Sequence, residues 1–364
     1  MKLNDNEKKV LEMLKENPYA NQKMIASKLN LSRPTIANLI SSLQTKGYIL
    51  GKPYVLKQEN YVTCVGGANL DYIFRLEENM VLHTSNPVTS KKSYGGVVRN
   101  IADNLSRLNH QVSLMTIVGD DVSGRELIDY CKPLMHVFAV DYVKNKSTGS
   151  YYAVINPDGN MHIGYADMSI NHLMNRDWIL KHKRDLNLSL WIIADMNVSK
   201  EGLNALMEFS QLNDKKLAIV GVSGPKMKHL DQKLDSVELI ICNLDESQSY
   251  LNNPSNDLKK HLALWLERGV KKIIITLGRH GAVFADQTHM GYQKAMPITK
   301  DLIVDVTGAG DAFSSATISA LILEHSIDFA VKCGMVSAHL TLQSSYAVNK
   351  NISIDQIKKG VCNL

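Results

Sequence analysis

The sequence has no long apolar run. Its longest, residues 190–194 and 318–323, fall far short of the roughly 20 residues that a membrane-crossing helix needs. The first ten residues, "MKLNDNEKKV", hold no apolar leader core. Cysteine is sparse: five residues (Cys64, Cys131, Cys242, Cys333, Cys362), odd in number and with no C-x-x-C pair. That excludes a disulfide framework and predicts reduced thiols in a cytoplasmic protein. Twelve histidines form no H-x-x-x-H pair, which argues against a structural zinc site. No G-x-G-x-x-G follows the first strand, which disfavours a dinucleotide-dependent dehydrogenase.

What is present is an ordinary globular composition over 364 residues, 45% hydrophobic and 21% charged, enough for one large and one small domain. The charge is uneven. Residues 1–58 carry nine lysines and Arg33 against four acids, an excess of +6. The whole chain is at +5, so the remainder is at −1. A basic module on a near-neutral body points to a polyanion partner for that module.

In residues 1–58 the pattern reads helix, helix, turn, helix, wing. Val10, Leu11 and Leu14 share one helical face, and Ile25 and Leu29 lie a turn apart. Ser32 is placed as an N-cap before Pro34, and Ile36, Leu39, Ile40 and Leu43 make an inward stripe that Gly47 ends. "YILGKPYVL" reads as two short strands. Residues 23–47 resemble the helix-turn-helix of bacterial transcription regulators. That resemblance puts a helix over 33–46 in the DNA major groove, with Arg33, Thr35, Asn38, Ser42 and Thr45 facing outward. A packing or dimerisation module is the alternative.

From Tyr61 onward β-rich runs alternate with helical segments: "YVTCVG", "QVSLMTIVG", "LWIIAD", "KLAIVGV", "ELIICN", "KKIIITLG". This spacing predicts a mostly parallel sheet with helices on both faces. Residues 72–94 and 149–165 read as excursions forming a small antiparallel lid. Ligands of such sheets sit beyond the carboxyl ends of the strands, so motifs just after strands matter most.

"DVTGAGD" (305–311) opens a buried helix carrying Phe313, Ala316, Ala320 and Leu321 on one face. Gly308, Ala309 and Gly310 can bring bare amides to an anion, and the helix N-terminus adds partial positive charge. A carboxylate there, Asp311, suits a base that deprotonates a hydroxyl attacking a phosphoryl group. Alone, the same residues also read as a helix cap. Gly95 and Gly96 precede a helix as a close-approach backbone or a tight turn, and Asn100 can donate and accept toward hydroxyls. Asp71 suits a vicinal diol or is a loop acid. Asn243 and Glu246 suit a phosphate and a hydrated Mg²⁺, or are helix caps. Thr276 and Gly278 end a strand at a nucleotide or at a plain turn.

Five of these stretches occur together and in order. "GGANLD" (66–71), "GGVVRN" (95–100), "NLDE" (243–246), "TLGRHG" (276–281) and "DVTGAGD" resemble the signatures of the ribokinase-like (PfkB) sugar and nucleoside kinases over residues 61–364. The resemblance implies a three-layer α/β/α fold with a β lid, here behind a winged helix-turn-helix domain. It implies Asp311 as catalytic base and 308–310 as the anion hole for the γ-phosphate of ATP. It further implies Asn69, Asp71, Gly95, Gly96 and Asn100 on the substrate; Asn243, Thr276, Gly278 and Gly281 on ATP; Glu246 on Mg²⁺ through water; and Asp305 and Thr307 beside a monovalent cation such as K⁺. "SNP" (85–87), "GGVVRNIADNLSRL" (95–108), "ADMSIN" (166–171) and "ADMNVSKEGL" (194–203) look most like pseudouridine kinases, adding Asp167 and Asn197 as substrate contacts. A broader ribonucleoside or sugar kinase is the alternative, as is a regulator that senses a nucleoside with a kinase fold. The same resemblance implies a homodimer.

Overall fold

The structure is a computed structural model that describes residues 3–17, 20–51, 55–56 and 61–364. The N-terminal module comprises α1 (Asp5–Glu16), α2 (Gln22–Leu29), α3 (Arg33–Thr45), β1 (Ile49–Gly51) and β2 (Val55–Leu56), the two strands pairing antiparallel. Its core is the apolar stripe of the sequence: Val10, Leu14, Ile25, Ile36, Ile40 and Leu43 are buried together. Ser32 caps α3 by accepting from the Thr35 amide at 3.2 Å, and Gly47 (φ +77°) lets the chain leave that helix. The Lys52–Pro53 turn expected between the strands lies outside the described residues.

The large domain opens with β3 (Tyr61–Val65), β4 (Asn69–Leu76), β5 (Val88–Gly95) and α4 (Val97–Arg107). Next come β6 (Gln111–Gly119), α5 (Val122–Cys131), β7 (His136–Val143), β8 (Ser150–Ile155) and β9 (Met161–Asp167). The middle of the chain holds α6 (Arg176–Lys181), α7 (Lys183–Asn187), β10 (Ser189–Asp195), α8 (Lys200–Asn213), β11 (Lys216–Val220), α9 (Gly224–Met227), β12 (Leu239–Asn243) and α10 (Leu244–Leu251). It closes with α11 (Leu258–Glu267), β13 (Lys272–Thr276), β14 (Ala282–Asp286), β15 (Met290–Gln293), α12 (Ala309–Ile322), α13 (Ile327–Leu342) and α14 (Ile354–Val361).

Nine strands form one sheet in the order β15-β14-β13-β12-β11-β10-β3-β6-β7. β13, β12, β11, β10, β3, β6 and β7 are mutually parallel, and β14 and β15 add an antiparallel edge. The central strands are Val/Ile/Leu-rich and buried on both faces, as helix-covered parallel strands must be. One apolar cluster packs α4, α12 and α13 on one side, and a second packs α8 and α11 on the other.

The lid is a separate four-stranded sheet in the order β5-β4-β8-β9. It departs from the expected antiparallel arrangement, because β4 and β8 run parallel with Asp71 opposite Tyr151. Two hairpin-like excursions from different points of the chain meet side by side. Each enters from the same end, so the strands at their junction share a direction.

Candidate active site

The motifs converge where β3, β10, β12 and β13 end. α4 and α12 bring their first turns together there, and the Asn100 amide nitrogen donates to Asp311 Oδ2 at 2.7 Å. No side chain caps α12: the Ala309 amide donates to the Val306 carbonyl at 3.4 Å, and the Gly310 and Asp311 amides are left open at the helix mouth. Gly308 is its N-cap at φ +79°, and a Cβ there would lie 1.9 Å from the Ala347 carbonyl oxygen. A Cβ on Gly310 would meet open space. Burial pushes the Asp311 carboxyl up to about 7, against the pull of the Asn100 hydrogen bond and the Arg99 charge. Asp195 and Asp71 push it further the same way.

Asp71 sits at the base of the lid. It accepts from the Asn69 amide at 2.7 Å, and burial raises its pKa to about 6 in spite of Arg99. Gly95 faces it: a Cβ at 95 would stand 2.2 Å from Asp71 Oδ2. Gly96 (φ +97°) packs on the Gly67 carbonyl, where a Cβ would be at 2.3 Å. Asn69, Asp71, Gly95, Gly96, Asn100 and Asp311 therefore form one group of acceptors, donors and bare backbone, fit to hold a polyhydroxylated ring against a base.

Asn197 lies beside this group. Its amide nitrogen donates to Asp195 Oδ2 at 2.9 Å, and its Oδ1 accepts from Lys226 and, at 3.3 Å, from Asn171. Asp167 does not join. It is exposed at the end of β9 and accepts from the Ser169 hydroxyl at 2.9 Å, closing the turn that follows.

A second cavity, of about 550 Å³, opens at the ends of β12 and β13 and is lined by Asn243, Thr276, Gly278, Asn256 and His280 among others. Asn243 also caps α10. Its Oδ1 accepts from the Glu246 amide while Glu246 Oε2 accepts from the Asn243 amide, a capping box. Glu246 is buried and its carboxyl is shifted upward by that burial. Gly281 (φ +99°) lies outside the lining and makes the turn into β14. Asp305 and Thr307 line a larger cavity, of about 1010 Å³, together with Asp71. Asp305 Oδ1 accepts from the Thr307 amide at 2.9 Å.

Reading along the chain missed three polar residues of this site. Asp195 is fully buried at the end of β10 and accepts from the amides of Gly67, Val98 and Asn197, which locks the first loop to α4. Its signal is an acid closing the apolar run "LWIIAD". Lys226 is half-buried, with its ammonium shifted downward by that burial. Asn171 is buried in a short 3₁₀ turn. Nothing local to the sequence marks Lys226, whereas Asn171 closes the stretch "ADMSIN", in which Asp167 drew the attention instead.

In the N-terminal module Arg33, Thr35 and Asn38 are exposed on α3. Ser42 is turned inward instead and donates to Glu7 Oε1 at 2.6 Å. Thr45 donates to the Ser41 carbonyl at 3.0 Å.

Residues 59–354 match the pfkB family of carbohydrate kinases, and residues 3–49 match a winged helix-turn-helix DNA-binding module. The chain is 26% identical to a pseudouridine kinase of Escherichia coli, over 83% of this chain and 96% of that one. It is 28% identical to an uncharacterized sugar kinase of the same organism, over 92% and 94%. The latter span is more than residues 61–364 alone can supply. A solved carbohydrate kinase from Agrobacterium tumefaciens superposes with a TM-score of 0.72 at 25% identity, covering 83% of this chain and 97% of that one.

Proposed function

We propose that this chain, which belongs to the pfkB family of carbohydrate kinases, phosphorylates the 5′-hydroxyl of pseudouridine with ATP and binds DNA through residues 1–58. The observation that carries the kinase reading is the Asn100–Asp311 contact at the uncapped mouth of α12. Asn100 holds one carboxylate oxygen of Asp311, leaving the other free for the acceptor. Asp311 takes the hydroxyl proton as that oxygen attacks the γ-phosphorus, and the bond from phosphorus to the ADP oxygen breaks. Of the amides at 308–310, those of Gly308 and Gly310 are open to the charge that develops on the phosphoryl oxygens, and the Ala309 amide would exchange its 3.4 Å contact with the Val306 carbonyl for it.

Asn69 and Asp71 hold the sugar hydroxyls against the bare backbone of Gly95 and Gly96. Asn197 and Lys226, beyond the sugar, supply donors for the edge of a base. Such groups favour a nucleoside over a free sugar, and the likeness to a pseudouridine kinase selects among nucleosides. Asn243, Thr276 and Gly278 would lie along the nucleotide.

Family kinases use ATP, typically with a divalent metal. Glu246, whose Oε2 is tied to the Asn243 amide, is a carboxylate of the kind that Mg²⁺ takes through water. No group of three or more His, Cys, Asp or Glu suited to a metal exists among the described residues, and Mg²⁺ is commonly held by phosphates and water with one or two carboxylates. Glu246 would bind it through water, and the ion would neutralise phosphate charge. Asp305 and Thr307, beside the end of α13, whose Leu342 carbonyl accepts from the Val304 amide at 2.9 Å, would hold K⁺. The deciding experiment is a panel of pseudouridine, other nucleosides and ribose with Mg-ATP. Pseudouridine is expected to give the highest kcat/KM. A tenfold preference for ribose or an N-nucleoside would establish the broader kinase instead, and no turnover with any acceptor would favour a nucleoside-sensing regulator.

A further inference from the structure

The Asn100–Asp311 contact has a neighbour that the proposed mechanism does not use. Arg99, in the first turn of α4, is only 2% exposed. Its Nε donates to the Gly95 carbonyl at 3.2 Å and its Nη1 to Asp103 Oδ2 at 3.2 Å. Its Nη2 donates to the Tyr94 carbonyl and to Asn100 Oδ1. A cation at a helix N-terminus opposes the helix dipole, so this placement needs a compensating role.

We propose that Arg99 is a positioning residue for Asp311: it fixes the Asn100 amide with its nitrogen toward Asp311, and it keeps a buried positive charge beside Asp71 and Asp311. The first part follows from donor inventory. With Oδ1 of Asn100 held by a guanidinium that can only donate, the amide cannot flip and present its oxygen to the carboxylate. The second follows from charge counting. Asp103 is fully buried and accepts from Arg99, from Arg107 Nε at 2.8 Å and from the Tyr130 hydroxyl at 2.9 Å. One carboxylate is shared by two guanidinium groups, so the cluster retains one positive charge. Of the charged groups that act most strongly on Asp311, Arg99 from α4 favours its ionised form, whereas Asp195 from β10 and Asp71 from β4 oppose it.

This inference rests on Asp311 being the base, and its test separates the two. The measurement is kcat/KM against pH for the full chain with Mg-ATP, using pseudouridine and, in parallel, ribose. Either acceptor serves as reporter. Arg99→Met should move the acidic limb upward by roughly 0.5–1 pH unit and lower the plateau on the order of 10²-fold, as misplacement of a reacting group does. Arg99→Lys should leave the limb near its wild-type position while the plateau stays low, because an ammonium cannot bridge Tyr94, Asn100 and Asp103 together. Arg107→Met lets Asp103 neutralise Arg99 in full, so the limb should rise with little change in plateau. Should Arg99→Met not fold, the other two variants decide. An unmoved limb in Arg107→Met, or a wild-type plateau in Arg99→Lys, overturns the proposal. Asp311→Asn in the same assay tests the base. If it keeps its turnover, the base assignment falls. If it is inactive while the arginine variants match wild type, only the role of Arg99 falls.

Discussion

At the residue scale the site is a small set of carboxylates held by amides, with one buried guanidinium among them. Asp311 must be ionised to accept a proton. Its pKa is raised by burial to about 7, so activity should climb as pH rises through about 7 and fall below it. Asp311→Asn should lower kcat by about 10²–10⁴-fold while nucleoside binding, followed by calorimetry, stays within a few-fold of wild type; near wild-type turnover would remove Asp311 from the mechanism. The residues readable from the sequence were those inside compact motifs. Asp311, Gly308 and Asn100 each sit in a run whose spacing restricts what it can do. Lys226 was not legible, and Asp195 showed only as an acid closing an apolar run, because their partners lie far away in the chain. Asp195 serves Gly67 and Val98 from 128 and 97 positions off, and only folding creates that neighbourhood.

At the element scale the parallel strands announced themselves as short buried Val/Ile runs, whereas β7, β14 and β15 did not. β7 lies at the edge of the sheet with Phe138 79% exposed, and it lacks the continuous apolar signature of its neighbours. The parallel β4–β8 pairing was equally hidden, since it joins segments some 80 residues apart and no turn sets its register. Two loops depend on glycine for different reasons. Gly308→Ala combines a left-handed φ with a backbone clash, and should destabilise the fold by about 1–3 kcal/mol, read as a lowered Tm. Gly95→Ala keeps an ordinary φ but displaces the Asp71 carboxylate. Acceptor KM should rise at least about tenfold with Tm little changed, and an unaltered KM would show that Asp71 does not hold the sugar. In the N-terminal module Glu7 is buried between α1 and α3. There it accepts from Ser42 and from Lys46 Nζ at 2.6 Å, and these donors lower its carboxyl to about 2 despite burial. A depressed pKa stabilises the fold fully above the unfolded value of about 4.5 and is lost as pH falls toward about 2. Glu7→Gln should therefore cost about 1–3 kcal/mol at neutral pH, visible as faster hydrogen exchange of α1 and α3, and the difference from wild type should vanish below pH 2.

At the scale of the whole molecule a pfkB-family domain and a winged helix-turn-helix module share one chain, and the charge is divided unevenly between them. The positive excess lies in residues 1–58 and the groups proposed to be catalytic all lie after Gly66. Arg33, Thr35 and Asn38 stand exposed on α3, free of the core that Ser42 serves. Helix-turn-helix proteins usually read half-sites about one helical turn apart as dimers. The lid offers a surface for pairing: Tyr152 lies opposite Tyr165 on one face, stacks on Tyr72 at 5.1 Å, and is followed by Val154 opposite Ile163. We therefore expect a homodimer that binds the DNA upstream of its own gene. Neutralised phosphates release counterions, so affinity should fall linearly in log–log form as salt rises. Arg33→Ala and Asn38→Ala should each weaken specific binding by about 1–3 kcal/mol if they reach base edges, whereas Ser42→Ala should act on stability of the module. Mobility shifts at two salt concentrations test this, and no salt-dependent shift would reduce residues 1–58 to a packing module. Deleting those residues should leave kinase activity intact. Loss of activity on truncation would instead make the two domains a single catalytic unit, with a boundary in function that the change in sequence texture near Tyr61 does not mark.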